Sequence, residues 1–410
     1  MYILGVNISH DPSACLLKDG EMVYYSEDER LTGVKSIEGS FDEVLDEYYE
    51  SDEIIPSFDQ ADAIKTYTNY IDYIIFTSFG RHDINDDHIL IKSVIRKLNE
   101  KNVKYNTLLF YEDNHHIYHA ANAFYASGFD DAAALVMDGG GAYDNQYRKD
   151  ITSQKYKFPF REVESIFNCT YDFPSFNIKY KHCSMLDLIG DERNEEFIFW
   201  KRSPTEIYSR SRSCGDLFSL MAEILDMDES TGTAAGKVMG LAGHRLTSSV
   251  IRENFNILHN YERQKEIFVT DWFYSYEDEW ITAPNLGPRI DEFVRETNLD
   301  TSLKGPTFDF YLCASLAHKL QEETFNHTCR LIEKTVQLTR KNKIVLSGGY
   351  FMNCVNNYKY TRKFPDIEFF VDPMPHDAGT AIGAAKYLWY GLTKSREKYP
   401  FKDVYFGTNI

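Results

Sequence analysis

The residues best suited to chemistry in this 410-residue sequence are a group of histidines followed by an acidic, glycine-rich loop. Residues 115–119 read His-His-Ile-Tyr-His, and the apolar run from Ala132 to Met137 ends at Asp138 and three glycines. Histidines four residues apart point to the same side of a helix, and a carboxylate at the end of a buried strand can meet them at one cation. The spacing predicts a metal site beside a phosphate-binding loop.

His115, His119 and Asp138 are the predicted ligands of this metal. Helix geometry rotates His116 by roughly 100° from its neighbour, which makes it the weaker candidate. Imidazole and carboxylate ligands with open positions suit iron, manganese or zinc, and spacing does not choose among them. The competing interpretation is that the three histidines are ordinary surface or core residues; Asp138 at the end of a buried strand favours the metal.

Small residues close two apolar strands, with Asp-Gly-Gly-Gly at 138–141 and Ser-Gly-Gly at 347–349. Backbone N–H groups freed by glycine bind phosphate oxygens. A nucleotide pocket is therefore predicted to include Gly139, Gly140, Gly348 and Gly349. Residues 233–240 add a glycine-flanked lysine, Gly236-Lys237, that can neutralise phosphate. It is not a Walker loop, because no Ser or Thr follows the lysine.

Two further residues lie next to predicted element ends. His10 follows the first strand and is a candidate general base toward a hydroxyl group. Asp377 precedes a helix that begins with small residues, so it is either another metal ligand or the N-cap of that helix.

The net charge of −19 argues against general electrostatic binding of nucleic acid, because such binding needs a basic face. Between residues 144 and 212, however, positive residues interleave with aromatic ones. Such a segment can follow a phosphate backbone and stack bases, with Lys157, Lys181 and Arg202 as candidate contacts. The alternative is an irregular insertion whose Lys and Arg side chains are simply solvated.

Composition predicts a soluble, globular protein of the cytoplasm. The chain is 43% hydrophobic, which is enough for a large core, and no stretch is apolar enough to span a membrane. Its seven cysteines include no Cys-x-x-Cys pair, which indicates reduced thiols. The first residues predict a strand rather than a signal peptide, since no basic segment precedes them.

Hydrophobic periodicity predicts alternating strands and helices in two similar halves. Strands are predicted at 2–8, 73–77, 107–111, 132–137, 343–346 and 367–371, with a hairpin at 14–25 that turns at Asp19-Gly20. Helices are predicted at 87–101, 115–127, 214–225, 308–340 and 379–389. This alternation predicts an α/β protein with helices on both faces of mixed sheets.

Several motifs occur in an order that resembles one protein family. They are Asn7-Ile8-Ser9-His10-Asp11-Pro12-Ser13-Ala14, Glu29-Arg30, the segment from His115 to Ala121, Gly236-Lys237-Val238-Met239-Gly240-Leu241-Ala242, Gly348-Gly349, Asn353-Cys354 and Asp377-Ala378-Gly379. This order resembles the O-carbamoyltransferases of the NodU/CmcH (TobZ-like) family. The resemblance implies an actin-like ASKHA fold of two RNase H-like halves. We place these halves at 1–130 and 131–395, with an insertion at about 144–212 and a tail at 396–410.

The resemblance also implies roles for individual residues. His115, His119, Asp138 and Asp377 would bind iron, with manganese, magnesium or zinc as alternatives, and His10 would act on the acceptor hydroxyl. Lys237, Gly348, Gly349 and Asn353 would line the pocket for a carbamoyl adenylate, which makes ATP a candidate cofactor. Relatives of this type carry a further YrdC-like domain that makes this donor, and the sequence stops about where that domain would begin. Three readings follow: the donor is made elsewhere, carbamoyl phosphate is used directly, or the sequence is part of a longer chain.

The acceptor is the least determined part of the prediction. The interleaved segment favours the 5-hydroxymethyl group of cytosine in DNA or a nucleotide, as in phage-type carbamoyltransferases, which would place the protein in the host cytoplasm. The alternative acceptor is a small-molecule alcohol such as an antibiotic or sugar. A function of another class is an ASKHA-type kinase or a nucleotide-binding regulatory partner, although such kinases need no His-x-x-x-His helix. The acidic surface permits a homodimer.

Overall fold

The structure is a computed structural model with no bound ligands. It describes residues 1–9, 11–32, 58, 60–78, 89–110, 114–142, 160–184, 199–201, 206–209, 213–225, 227, 234–244, 259–260, 268–269, 306–401 and 403–405.

Five strands of the described chain form the first sheet. They are β1 (Tyr2–Asn7), β2 (Ser13–Lys18), β3 (Glu21–Glu27), β4 (Tyr70–Thr77) and β5 (Lys104–Phe110). Their order across the sheet is β3-β2-β1-β4-β5. β1 pairs antiparallel with β2 and parallel with β4. The predicted hairpin turn is confirmed, since Asp19 and Gly20 have φ angles of 52° and 92° and a type I′ turn needs positive values at both positions.

The second sheet repeats this topology. Its described strands are β6 (Asp131–Met137), β7 (Arg161–Thr170), β8 (Phe176–Ser184), β9 (Phe199–Lys201), β10 (Glu206–Ser209), β13 (Lys343–Ser347) and β14 (Glu368–Val371), in the order β14-β13-β6-β7-β8-β10-β9. β6 pairs antiparallel with β7 and parallel with β13, as β1 does with β2 and β4. Two RNase H-like sheets of the same strand order make this the predicted actin-like fold.

Helices flank both sheets. Those in the described chain are α1 (Asp28–Thr32), α2 (Gln60–Tyr67), α3 (Ile89–Glu100), α4 (His115–Ser127), α5 (Cys214–Ile224), α6 (Ala235–Leu241), α7 (Pro306–Thr339), α8 (Cys354–Lys363) and α9 (Thr380–Thr393). β11 (His259–Asn260) and β12 (Phe268–Val269) form a separate ladder. The predicted strands and helices are confirmed, with ends shifted by up to four residues. No described helix is both long enough and apolar enough to cross a membrane.

The core has three apolar clusters separated by the two sheets. Alternate residues of β6 face different clusters: Leu135 lies in the cluster under α5 and α7, whereas Ala134 lies between the sheets. Helices α4 and α9 fill the space between the sheets, with α4 contacting β6 and β13 and α9 contacting β1 and β2. Gly383 of α9 permits this packing, since a Cβ there would lie 1.9 Å from the Tyr118 carbonyl oxygen of α4.

The segment 144–212 contains more regular structure than its sequence pattern indicated. Residues 161–170 and 176–184 are β7 and β8 of the second sheet, so this part belongs to the sheet itself. The register of β7 shifts between Glu162 and Glu164, which marks a β-bulge. The division at residues 130 and 131 and the boundaries of the insertion stay predictions.

Candidate active site

Four side chains from three places in the chain converge between the two sheets. His115 and His119 lie in the first turns of α4, Asp138 follows β6, and Asp377 lies in a short 3₁₀ turn before α9. One ligand atom from each residue lies within 4.8 Å of all the others, and all four residues are buried. The predicted metal set is therefore assembled in space, although its residues are up to 262 positions apart.

The distances within this set suit a cation. His115 Nε2 lies 3.2 Å from Asp138 Oδ2 and 3.4 Å from Asp377 Oδ1. His119 Nε2 lies 3.1 Å from His115 Nε2 and 3.5 Å from Asp377 Oδ1. Metal–ligand bonds of about 2.0–2.2 Å place neighbouring ligand atoms roughly 2.9–3.6 Å apart in octahedral and tetrahedral geometry. These four distances fall in that range, whereas His119 Nε2 and Asp138 Oδ2 are 4.0 Å apart and would have to approach each other by a few tenths of an ångström.

His115 is oriented by the strand beneath it. Its Nδ1 lies 3.3 Å from the carbonyl oxygen of Ser78, which can only accept a hydrogen bond. Nδ1 therefore carries a proton and donates to this carbonyl, so Nε2 is the ring nitrogen that faces the two carboxylates, where it holds a proton that a bound cation would replace. Burial opposes charge on His115, but Asp377 and Asp138 outweigh burial and raise the pKa of His115 to about 10. The field that retains a proton here also attracts a metal cation.

Both carboxylates are held by neighbouring groups, of which Gly349 was predicted for the donor pocket and Ser9 had no predicted role. The Ser9 hydroxyl donates to Asp377 Oδ2 at 3.3 Å, and the Gly349 N–H donates to Asp138 Oδ1 at 3.1 Å. Ser9 is in turn fixed by Asn7, whose amide nitrogen donates to the Ser9 hydroxyl oxygen at 2.8 Å. The N-cap of α9 is Gly379, without a side-chain capping bond, so the alternative of Asp377 as that N-cap is wrong.

His116 points away from the four-residue set, as its helical position predicted. Its Nδ1 lies 2.7 Å from the Ser165 hydroxyl oxygen of β7. Burial lowers the pKa of His116 to about 4, so the ring is neutral at physiological pH. Gly141 packs directly on this helix, because an added Cβ would lie 2.8 Å from His116 Cδ2 and 3.0 Å from His115 Cδ2.

The predicted glycine loops lie at the ends of neighbouring strands. The Gly139 carbonyl accepts from the Ser213 hydroxyl at 2.8 Å, and the Gly140 carbonyl accepts from the Arg161 guanidinium at 2.9 Å. Among the described residues, no atom lies within 4 Å of a Cβ added at Gly139. Gly348 has φ 98°, and a Cβ there would lie 2.1 Å from the Met137 carbonyl oxygen, so this position requires glycine.

The remaining predicted donor residues differ in their surroundings. Asn353 is buried and caps α8 through its side-chain oxygen, which accepts from the Asn356 N–H, while its Nδ2 has no hydrogen-bond partner among the described residues. Gly236 and Lys237 lie on the exposed side of α6. The Lys237 ammonium donates to the Met227 carbonyl at 3.2 Å, which leaves two of its three N–H groups for other acceptors.

Three predicted residues, His10, Lys157 and Arg202, lie outside the described residues. Lys181, the remaining candidate for acceptor contact, forms an ion pair with the buried carboxylate of Glu162. A carboxylate oxygen of Glu162 lies 4.0 Å from His116 Nδ1. The structure thus places Lys181 in a charge network behind the metal-ligand helix. Its predicted contact with the acceptor stays a prediction.

This geometry agrees with the outcome of sequence comparison. The sequence model of the family described as Carbamoyltransferase N-terminus matches residues 2–386, and thus all four residues of the metal set. The chain belongs to this family. The resemblance inferred from the motifs is thereby confirmed.

Relatives of this carbamoyltransferase family member are distant. Nodulation protein NolO of Bradyrhizobium diazoefficiens is 26% identical over 72% of this chain and 42% of its own length. Nodulation protein NolNO of Sinorhizobium fredii is 23% identical over 98% of this chain and 49% of its own length. The chain thus spans less than half the length of these two relatives. Full-length HypF in its phosphate- and nucleotide-bound form aligns over 96% of this chain and 56% of its own, with 14% identity and a TM-score of 0.49. The fold assignment rests on the strand order described above.

Proposed function

We propose that the chain is an O-carbamoyltransferase that moves a carbamoyl group from carbamoyl phosphate, directly or as carbamoyl adenylate, to an acceptor hydroxyl. Membership of the carbamoyltransferase N-terminus family supports the reaction class. The observation that carries the proposal is the buried cluster of two imidazoles and two carboxylates where the two sheets meet. Four ionisable side chains buried together, with the pKa of His115 raised to about 10, are typical of a functional site.

The cluster fits a divalent cation such as iron. His115, His119, Asp138 and Asp377 would hold it, since their ligand atoms all lie within 4.8 Å of one another and His115 Nε2 faces both carboxylates. Imidazole nitrogen and carboxylate oxygen suit Fe²⁺, Mn²⁺ and Zn²⁺, and Mg²⁺ is the weaker choice because it prefers oxygen ligands. When bound, the metal supplies Lewis-acid stabilisation of charge on the carbamoyl or phosphate oxygens.

The chain's own residues would orient both substrates. Ser9 and the Gly349 N–H hold the two carboxylates in place. The unpaired Nδ2 of Asn353 and the open space at Gly139 suit the donor. The acceptor oxygen forms a bond to the carbamoyl carbon, the bond from that carbon to the phosphate oxygen breaks, and phosphate or AMP leaves. We assign the acceptor's proton to His10, because it follows Ser9 directly.

Mass spectrometry of the reaction products tests the proposal. The protein is incubated with ferrous iron and either carbamoyl phosphate, carbamoyl phosphate with ATP, or synthetic carbamoyl adenylate. We expect an acceptor alcohol to gain the mass of one carbamoyl group, and the donor arms to show whether an adenylate is required. The double variant His115→Ala/His119→Ala should lose both the metal and the transfer. A control, His318→Ala, changes a histidine of α7 that pairs with Glu322 and should retain both. Transfer by the double variant would refute the assignment.

For the acceptor, we propose the 5-hydroxymethyl group of cytosine as the first to test. The support is the alternation of aromatic and positive residues between 144 and 212, which suits a stacked, phosphate-bearing substrate. Parallel reactions contain hydroxymethylated DNA, the corresponding nucleotide, and an aminoglycoside. Product from the aminoglycoside alone would identify a small-molecule acceptor and overturn the nucleic-acid assignment.

A further inference from the structure

A second buried cluster of metal-ligating side chains lies under the opposite face of the second sheet. Carboxylate, thiol and imidazole ligand atoms of Glu164, Cys214 and His327 lie within 4.8 Å of one another. His182 joins them, with its Nδ1 3.2 Å from Glu164 Oε2, while His327 Nε2 contacts the other carboxylate oxygen. All four side chains are no more than 5% exposed.

The cluster is separate from the active site because of the β-bulge in β7. The bulge adds Val163 between Glu162 and Glu164, so both Glu162 and Ser165 face α4 and its histidines. Glu164 points to the other face, where His327 of α7 and Cys214 at the start of α5 lie. The two sets of ligands therefore occupy opposite sides of one sheet.

We propose that Glu164, Cys214 and His327 bind a zinc-like divalent cation, with His182 orienting the Glu164 carboxylate. One thiolate, one imidazole and one carboxylate form a donor set typical of zinc. A histidine bonded to the far oxygen of a ligating carboxylate is the kind of outer contact that orients metal ligands. This site goes beyond carbamoyl transfer, since none of its residues belongs to the active-site set.

The position of the cluster suggests what the cation would do. It would join α5 and α7 to β7, three elements that also share one apolar cluster and the contact between Glu164 and His327. Cys214 is flanked by Ser213, which donates to the Gly139 carbonyl, and by Gly215, where a Cβ would lie 2.8 Å from the Gly139 nitrogen. The cation would thus hold the start of α5 against the loop that follows the metal ligand Asp138.

Cobalt spectroscopy on the full chain tests this site, because the active-site set contains no thiol. The variant His115→Ala/His119→Ala removes the first set, and its bound metal is stripped with a chelator. Adding Co²⁺ should then give one equivalent of bound metal with a thiolate-to-cobalt charge-transfer band. Absence of the band in this folded double variant would overturn the proposal and leave the cluster as an ion pair between Glu164 and two histidines.

Substitutions identify the residue of the cluster that gives rise to the charge-transfer band. On the same background, Cys214→Ser should abolish the charge-transfer band, and Glu164→Gln should weaken zinc binding at least roughly tenfold. Cys329→Ser is the matched control, since Cys329 is also buried, lies on α7 near His327, and contributes no ligand to the cluster. A band that survives Cys214→Ser would also overturn the assignment. A protein that shows the charge-transfer band but does not transfer a carbamoyl group would count against the proposed function and not against this second site.

Discussion

Gly141 offers a direct test of how the active-site histidines are held. The change Gly141→Ala adds a Cβ that would lie 3.0 Å from His115 Cδ2 and 2.8 Å from His116 Cδ2. Ordinary van der Waals contact begins at 3.4 Å, so the His115 ring must move by at least about 0.4 Å. The neighbouring His116 ring must move further, by about 0.6 Å, so the helix turn that carries both rings shifts by more than the roughly 0.5 Å within which a site has to be held. Disturbing the support of a ligand costs roughly 10- to 100-fold in metal affinity. We expect a loss in that range.

Gly139→Ala is a control within the same loop. No atom lies within 4 Å of a Cβ at this position, so the ligand geometry should not change. We expect its metal affinity to stay within about twofold of the wild type, and its effect to fall on the KM for the carbamoyl donor, whose predicted space the methyl group would occupy.

Competition with a chromophoric chelator for Mn²⁺ measures both affinities without knowledge of the acceptor. Far-ultraviolet circular dichroism and urea unfolding establish that each variant is folded. The reasoning would be refuted if folded Gly141→Ala bound Mn²⁺ as tightly as the wild type, or if Gly139→Ala lost as much affinity as Gly141→Ala.

Three further predictions concern the supports of the site. Ser9→Ala removes the hydroxyl that donates to Asp377 at 3.3 Å and should weaken Mn²⁺ binding about fivefold, measured by the same competition. Gly348→Ala places a Cβ at φ 98° and 2.1 Å from a carbonyl oxygen, so urea unfolding should show that the free energy of unfolding falls by about 3 kcal/mol. The control Gly240→Ala lies at a helical position with no described atom within 4 Å of the added Cβ, so it should leave that free energy unchanged or raise it. Burial raises the pKa of Asp372 to about 7, so the folded chain retains a proton that the unfolded chain releases above about pH 4. The free energy of unfolding should fall as pH rises from about 4 to about 7, and Asp372→Asn should reduce that slope.

Local patterns in the sequence were sufficient for most elements and for the metal-ligand helix. The spacing of His115 and His119 predicts convergence because both ring nitrogens must project from one face of a helix. The apolar run before Asp138 predicts a buried strand, with Asp138 at the carboxyl end of that strand. In contrast, β7 and β8 were missed because their residues are irregular in hydrophobicity, with Glu162 and Glu164 both buried by partners that lie far along the chain.

The contacts that could not be predicted are those whose partners share no local pattern. The donation from Ser9 to Asp377 joins residues 368 positions apart, and each residue alone resembles an ordinary turn or cap. Glu164 and His327 are separated by 163 positions, and the bulge that turns Glu164 toward His327 has no signature in sequence. Lys181 is a further example, since the pattern of positive and aromatic residues around it gives no sign of its ion pair with the buried Glu162.

The duplicated topology explains why the active site lies where it does. β1 and β6 are the first strands of their respective halves and occupy equivalent central positions in the two sheets. The chain leaves β1 toward Ser9 and leaves β6 toward Asp138, so equivalent strand ends supply one support and one ligand. α4 then packs on the second sheet and α9 on the first, which brings His115 and Asp377 together from opposite halves. The four proposed ligands thus come from elements that pack on different sheets, so cation binding should stabilise the packing of α4 and α9 between the two sheets.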